Sequence, residues 1–305
     1  MSQRYRYLHL DVFTNRPFGG NQLAVFTRAE GLSTEQMQAI ANEMAFSEST
    51  FILPAERDDT DIRMRIFTPG REMPMAGHPT IGSAFGLALD GTIPAGQKRW
   101  VFGLNIGPTP VDIDWDGARP SFAWMTQRLP EFGTVVFDVG GVADAIGLSA
   151  DDIGLGSLRV QEVSCGVPFV FIPLATRAAV DRAVPNAAAI SVLCARHHLN
   201  AEAVFLFSSE QAGDGATVYS RMFWPGAGVT EDPATGSASG PLGCYLVRHG
   251  VVPPTQANAI TSLQGARMGR PSWVHVFIGT SAEGDITRVQ VGGEAVLVGE
   301  GEIAV

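Results

Sequence analysis

Three polar side chains fall where they could move a proton on a small molecule: Glu48, His78 and Asp232. Glu48 sits in Ser47-Glu48-Ser49, between an expected helix and the strand TFIL, and such junction residues can point into a cleft. His78 stands at the start of the small-residue run GHPTIGSAFGLAL, and Asp232 just before a second, GSASGPLGCYL. Carboxylates and imidazoles serve as proton carriers when desolvation moves their pKa values toward neutrality. Helix amino ends, with free N–H groups and a positive dipole end, suit a substrate carboxylate. Singly, each residue also has a plain structural reading. Glu48 can be a solvated residue after a helix, and His78 a turn cap ahead of Pro79. Asp232 can be a helix cap ahead of Pro233, which fits a first helical turn.

The elements that must position these residues occur twice. Residues 65–89 read RIFTPGREMPMAGHPTIGSAFGLAL and residues 221–246 read RMFWPGAGVTEDPATGSASGPLGCYL. An offset of 156 places Arg65 on Arg221, Phe67 on Phe223, Pro69 on Pro225 and Gly70 on Gly226 without a gap. The same offset sets Ala76 opposite Asp232. Both stretches continue as small-residue helices, so the sequence predicts an internal duplication. In the first helix Ile81, Phe85 and Leu89 recur among glycine and alanine, leaving no polar face, which predicts burial all round. Ser33 and Gln36 predict a capping box, with Leu32 as staple, ahead of a helix whose apolar face is Met37, Ile40, Ala41 and Met44.

The expected fold class is α/β: two similar domains, each a curved mixed β-sheet wrapped around a central helix. The first domain is expected over 1–118, completed by a C-terminal strand from 287–305, and the second over 119–286. Both helix amino ends are expected to face a shared cleft.

Composition narrows the function classes. Net charge is −10 with only 21 Lys and Arg, and no basic run marks a nucleic-acid track. No stretch approaches 18 uninterrupted apolar residues, so no membrane span is expected. The start MSQRYRYLHLDVF has no export pattern. Cys165, Cys194 and Cys244 are widely spaced without a CxxC, so a reducing cytoplasm is the expected location. His9, His249, His275 and the pair His197-His198 show no ligand spacing, so no metal is expected. GxGxxG and GxxxxGK[ST] are absent, and Gly236-Ser237-Ala238 lacks a nucleophile elbow. A cofactor-free enzyme acting on a small carboxylate remains.

Four ordered stretches carry a resemblance over nearly the whole chain. They are DVFTNRPFGGNQLAVF at 11–26, NEMAFSESTF at 42–51, RIFTPGREMPMAGHPTIGSA at 65–84 and GVTEDPATGSASGPL at 228–242. On these the chain resembles the phenazine-biosynthesis PhzF-like isomerase family, within the diaminopimelate epimerase fold. The resemblance implies paired domains, a homodimer and neither metal nor organic cofactor. Its best understood activity isomerises trans-2,3-dihydro-3-hydroxyanthranilate. By that resemblance Glu48 takes the C3 proton and returns it at C1, while His78 and Asp232 position and polarise the substrate. Gly77, Gly236 and Ser237 match positions that hold the substrate carboxylate. Asn21, with Phe18, Met73, Met222 and Arg270, is expected among residues that set specificity. Ser49 stands where threonine is common in the family.

The related epimerases use two cysteines as opposed bases, one before each central helix. Here those places are expected to hold Ala76 and Asp232, which argues against a two-base amino-acid racemase. The alternative from another class is a small-acid binding or regulatory protein using the same cleft.

Overall fold

The structure, a computed structural model, describes residues 3–154, 156–227 and 229–305. Gly228, which falls in the second repeat and opens the fourth family stretch, lies outside them. The chain starts β1 (Arg4–Val12), β2 (Asn21–Phe26), α1 (Thr34–Met44), β3 (Glu48–Pro54), β4 (Ile62–Phe67), β5 (Glu72–Met73) and α2 (Gly77–Leu89). It continues β6 (Arg99–Leu104), β7 (Gly107–Asp116), β8 (Arg119–Gln127), β9 (Glu131–Val136), α3 (Val139–Ile146), β10 (Val160–Ser164) and β11 (Pro168–Pro173). Then come α4 (Arg177–Arg182), α5 (Ala187–Arg196), β12 (Val204–Ser208), β13 (Val218–Trp224), β14 (Val229–Asp232) and α6 (Gly236–Arg248). The last strands are β15 (Ile260–Gln264), β16 (Ser272–Thr280), β17 (Ile286–Gly293) and β18 (Ala295–Ala304). Two compact units result: Met1–Thr126 with Gly292–Val305, and Gln127–Val291.

Each unit is built to the same plan. In the first, β1–β2 is antiparallel, β2–β3 parallel, β3–β4 antiparallel, β4–β6 parallel and β6–β7 antiparallel. In the second, β10–β11, β11–β12, β12–β13, β13–β15 and β15–β16 repeat that alternation in order. The final strand β18 pairs with β1. In the first unit α2 packs on β1, β2, β3, β7 and β18, so the sheet curves around it. In the second, α6 packs on β10, β11 and β16.

Strand alternation divides each core into two faces. In the first unit Phe26, Phe51 and Phe67 meet Met37 and Ile40 of α1, with Phe26 and Phe51 stacked at 4.8 Å. The α1 amino end carries the expected capping box: Ser33 Oγ accepts from the Gln36 N–H, and Gln36 Oε1 accepts from the Ser33 N–H. The opposite face receives α2, buried from Gly77 through Leu87. Small residues are needed there, since a Cβ on Gly82 would come within 2.5 Å of Leu23 and 2.6 Å of Val12. In the second unit Val170, Ile172, Val204 and Leu206 face α3, α4 and α5. Their neighbours Phe171 and Phe207 turn to Tyr245 of α6.

The duplication reaches individual contacts. Arg65 holds Glu72 through two hydrogen bonds and lies over Phe67, as Arg221 holds Glu231 and lies over Phe223. The Thr80 hydroxyl donates to the Ala76 carbonyl, as the Ser239 hydroxyl donates to that of Thr235.

The gapless alignment, however, does not survive past the turn. Arg65 and Arg221 differ by 156, but Gly77 and Gly236, which open α2 and α6, differ by 159. The second hairpin is three residues longer. Strand pairing sets Met73 opposite Ile66 and Asp232 opposite Met222, so Asp232 corresponds to Met73. Ala76 corresponds to Thr235, since both are helix N-caps. Asp232 is therefore not the cap of α6: it ends β14, and Pro233 precedes the first turn.

Candidate active site

Glu48 is the first residue of β3, paired with Leu23 of β2. Two residues on, and so on the same face, Thr50 bonds Ser83 of α2 at 2.8 Å. This hydroxyl pair ties β3 to the buried helix. Ser49 is buried, and alternation points it to the other face, towards the α1 layer.

His78 is the second residue of α2 and is buried. Its Nε2 stands 3.4 Å from Glu48 Oε2, in contact but outside hydrogen-bond geometry. Its Nδ1 lies 3.2 Å from Nδ2 of Asn21. Burial pushes the imidazole down to about 3, only partly offset by a backbone hydrogen bond with Gln22. The expected tuning toward neutrality is therefore not what His78 shows, and it faces Glu48 as a neutral ring. Asn21 reaches the ring because Gly20 makes the preceding turn at φ +61°, where a Cβ would lie 2.2 Å from the Val12 carbonyl oxygen. The N-cap Ala76 supplies no side-chain cap, so Gly77 and His78 open α2 with uncapped backbone.

In the second unit Asp232, Thr235 and Gln264 form a buried cluster. The Thr235 hydroxyl donates to Asp232 Oδ2 at 2.5 Å. Gln264 Nε2 donates to the Asp232 carbonyl at 2.8 Å and to Thr235 Oγ1 at 3.0 Å. Gln264 Oε1 accepts from the Thr235 N–H at 3.1 Å. Gly236 and Ser237 follow directly as the first two residues of α6. Gln127 donates to the Gly236 carbonyl at 3.0 Å.

The structure thus gathers Glu48, His78, Asn21 and Gly77 in the first unit. It gathers Asp232, Gly236 and Ser237 in the second. Thr235 and Gln264 were not among the site residues expected from the sequence. Thr235 lies inside the quoted motif, but Gln264 is on a separate strand with no motif of its own. Among the described residues no three His, Cys, Asp or Glu side chains gather as a metal site. Among them also, no helix is long and apolar enough to cross a membrane.

In sequence and in fold the chain is similar to a known group of proteins. The model of the phenazine biosynthesis-like protein family, PhzC-PhzF, matches residues 10–301. An uncharacterized isomerase of Mesorhizobium japonicum is 38% identical, over 99% of each chain. A trans-2,3-dihydro-3-hydroxyanthranilate isomerase of Pseudomonas chlororaphis is 35% identical, over 98% of this chain and 99% of its own. The crystal structure of a PhzF-family phenazine biosynthesis protein of Bacillus anthracis superposes with a TM-score of 0.87 at 29% identity, covering 99% of this chain and all of that one. These matches show that the chain belongs to the phenazine biosynthesis-like PhzC-PhzF family and is an isomerase.

Proposed function

We propose that this isomerase moves a proton between two carbons of a small carboxylate substrate, with Glu48 as the proton carrier. The observation that carries the reading is the 3.4 Å approach of His78 Nε2 to Glu48 Oε2 at the uncapped start of α2. A carboxylate can take a proton from one carbon and return it to another of the same molecule, leaving its composition unchanged. The neutral His78 ring, steadied by Asn21, polarises the substrate without competing for that proton at neutral pH. Asp232 orients the substrate in this reading. Gly77, at the first turn of α2, offers its backbone N–H to the carboxylate. The substrate class proposed is that of trans-2,3-dihydro-3-hydroxyanthranilate, as named for the Pseudomonas chlororaphis relative.

The test is incubation with trans-2,3-dihydro-3-hydroxyanthranilate and a panel of cyclic carboxylates in heavy water, with deuterium at carbon read by mass spectrometry. Turnover with label at the new C–H position is expected, and Glu48→Gln should abolish both. Label retained in Glu48→Gln removes Glu48 as carrier. Binding by calorimetry without exchange across the panel would replace the reading with a ligand-binding role.

A further inference from the structure

Three positions set the second unit apart from the first. The corrected register makes Asp232 the counterpart of Met73 and Thr235 that of Ala76. It also makes Gln264 the counterpart of Leu104. Ser220 lies opposite Gln264 in the β13–β15 pairing, and the β4–β6 pairing, extended one residue beyond Arg63 and Gly103, brings Met64 beside Leu104. The first unit therefore places three buried apolar side chains, Met73, Ala76 and Leu104, where the second has Asp232, Thr235 and Gln264. The backbone plan is the same, so the fold does not require polar groups there. Burying them is costly unless they are bonded to one another.

We infer that Thr235 and Gln264 are positioning residues that hold Asp232 for the reaction, an inference that rests on the role proposed for Asp232. The bonding has one sense. Gln264 Oε1 faces the Thr235 N–H, so its amide nitrogen faces the Asp232 carbonyl and Thr235 Oγ1. Exchanging oxygen and nitrogen would set acceptor against acceptor and donor against donor. Thr235 Oγ1 already accepts from Gln264, so the hydroxyl proton goes to Asp232 Oδ2. One carboxylate oxygen is thereby committed to Thr235, and the rotation of the side chain is fixed. Gly265 lets the strand end come this close: at φ +72° its Cβ would lie 2.5 Å from the carbonyl oxygens of Pro233 and Arg270.

The test compares Thr235→Val, Thr235→Ser, Gln264→Met and Asp232→Asn in two measurements, with thermal melts confirming that each folds. The first is steady-state turnover of trans-2,3-dihydro-3-hydroxyanthranilate. Thr235→Val should lower kcat roughly tenfold to a hundredfold with KM changed far less, the scale of a lost hydrogen bond to a charged group. Thr235→Ser should restore kcat to within a few-fold. Gln264→Met should lower kcat, and the Thr235→Val/Gln264→Met double variant should fall less than the product of the singles. The second needs no substrate: the 13Cγ signal of Asp232, assigned through Asp232→Asn, should move in Thr235→Val and return in Thr235→Ser. An unmoved signal overturns the inference whatever the turnover. Loss of activity in Asp232→Asn with wild-type kcat in Thr235→Val and Gln264→Met overturns it while leaving the role of Asp232 standing. Wild-type kcat in Asp232→Asn overturns that role, and the positioning claim with it.

Discussion

His78 and Glu48 touch at 3.4 Å as a neutral ring and a carboxylate rather than as an ion pair, because burial holds the imidazole at about 3. This makes stability depend on pH in a defined direction. An unfolded histidine titrates near 6.5, so between about 6.5 and 3 the unfolded chain binds a proton that the folded chain refuses. The penalty is absent above this window and grows as pH falls through it, to on the order of 5 kcal/mol at its lower end. Denaturation at pH 7.5, 5.5 and 4.5 should show wild type losing more stability than His78→Gln as pH falls. A constant difference across the three pH values would mean that His78 takes up its proton in the folded state.

Arg65 and Arg221 occupy equivalent sites but bear different loads. Both hold a glutamate through two bonds, yet Arg221 Nη1 also donates to the carbonyls of Val180, Asp181 and Ala183. Its side chain is 9% exposed against 18% for Arg65. Arg221→Ala strands Glu231 and three carbonyl oxygens, and is expected to cost about 3–5 kcal/mol. Arg65→Ala should cost about 1–2 kcal/mol. Urea denaturation curves of the two variants decide this, and equal losses would show that the Val180, Asp181 and Ala183 carbonyls contribute nothing.

What the residues disclosed in advance follows the range of the contacts. The α1 cap is local, three residues from Ser33 to Gln36, and it was legible. The repeat was legible from Arg65 and Arg221 because each must face its own Phe and Glu. The three extra residues of the second hairpin were not, since turns tolerate insertion and leave the flanking motifs intact. That hid the correspondence of Asp232 with Met73. Gln264 was hidden for another reason: it reaches Asp232 across 32 residues through strand pairing, which no local spacing reports. Burial also decided the titration of His78, which no neighbour in the sequence announces.

Two glycines with similar backbone angles should respond differently to substitution. Gly91, at φ +84°, has nothing within 4 Å of a new Cβ, so Gly91→Ala meets only the left-handed strain of about 1 kcal/mol. Gly20, at φ +61°, would put its Cβ 2.2 Å from the Val12 carbonyl oxygen and 2.8 Å from Thr14. Backbone cannot rotate aside, so Gly20→Ala should cost about 3 kcal/mol or more and displace Asn21 from His78. Melting temperatures should separate the two variants, and only Gly20→Ala should lose turnover. Equal melting temperatures would mean that the β1–β2 turn yields to the new methyl group.

The state of the thiols bears on which base chemistry the chain uses. A two-base racemase needs a reactive thiolate near each helix entrance. In this chain the entrances hold Ala76 and Thr235, and the hairpin positions before them Met73 and Asp232. Cys244 is the ninth residue of α6, its Sγ 4.0 Å from that of Cys165, and its thiol is pushed up by that neighbour and by burial. Cys194 is pushed up mainly by burial. Reactivity follows the thiolate and its access, so Cys194 and Cys244 should resist reagents in the folded state, and Cys165 is kept from them by its burial. A disulfide-exchange reagent should titrate three thiols in denaturant and almost none over minutes in buffer. Iodoacetamide-treated native protein should keep its deuterium exchange into substrate. Rapid inactivation by alkylation at neutral pH would put a cysteine, rather than Glu48, at the proton-transfer step.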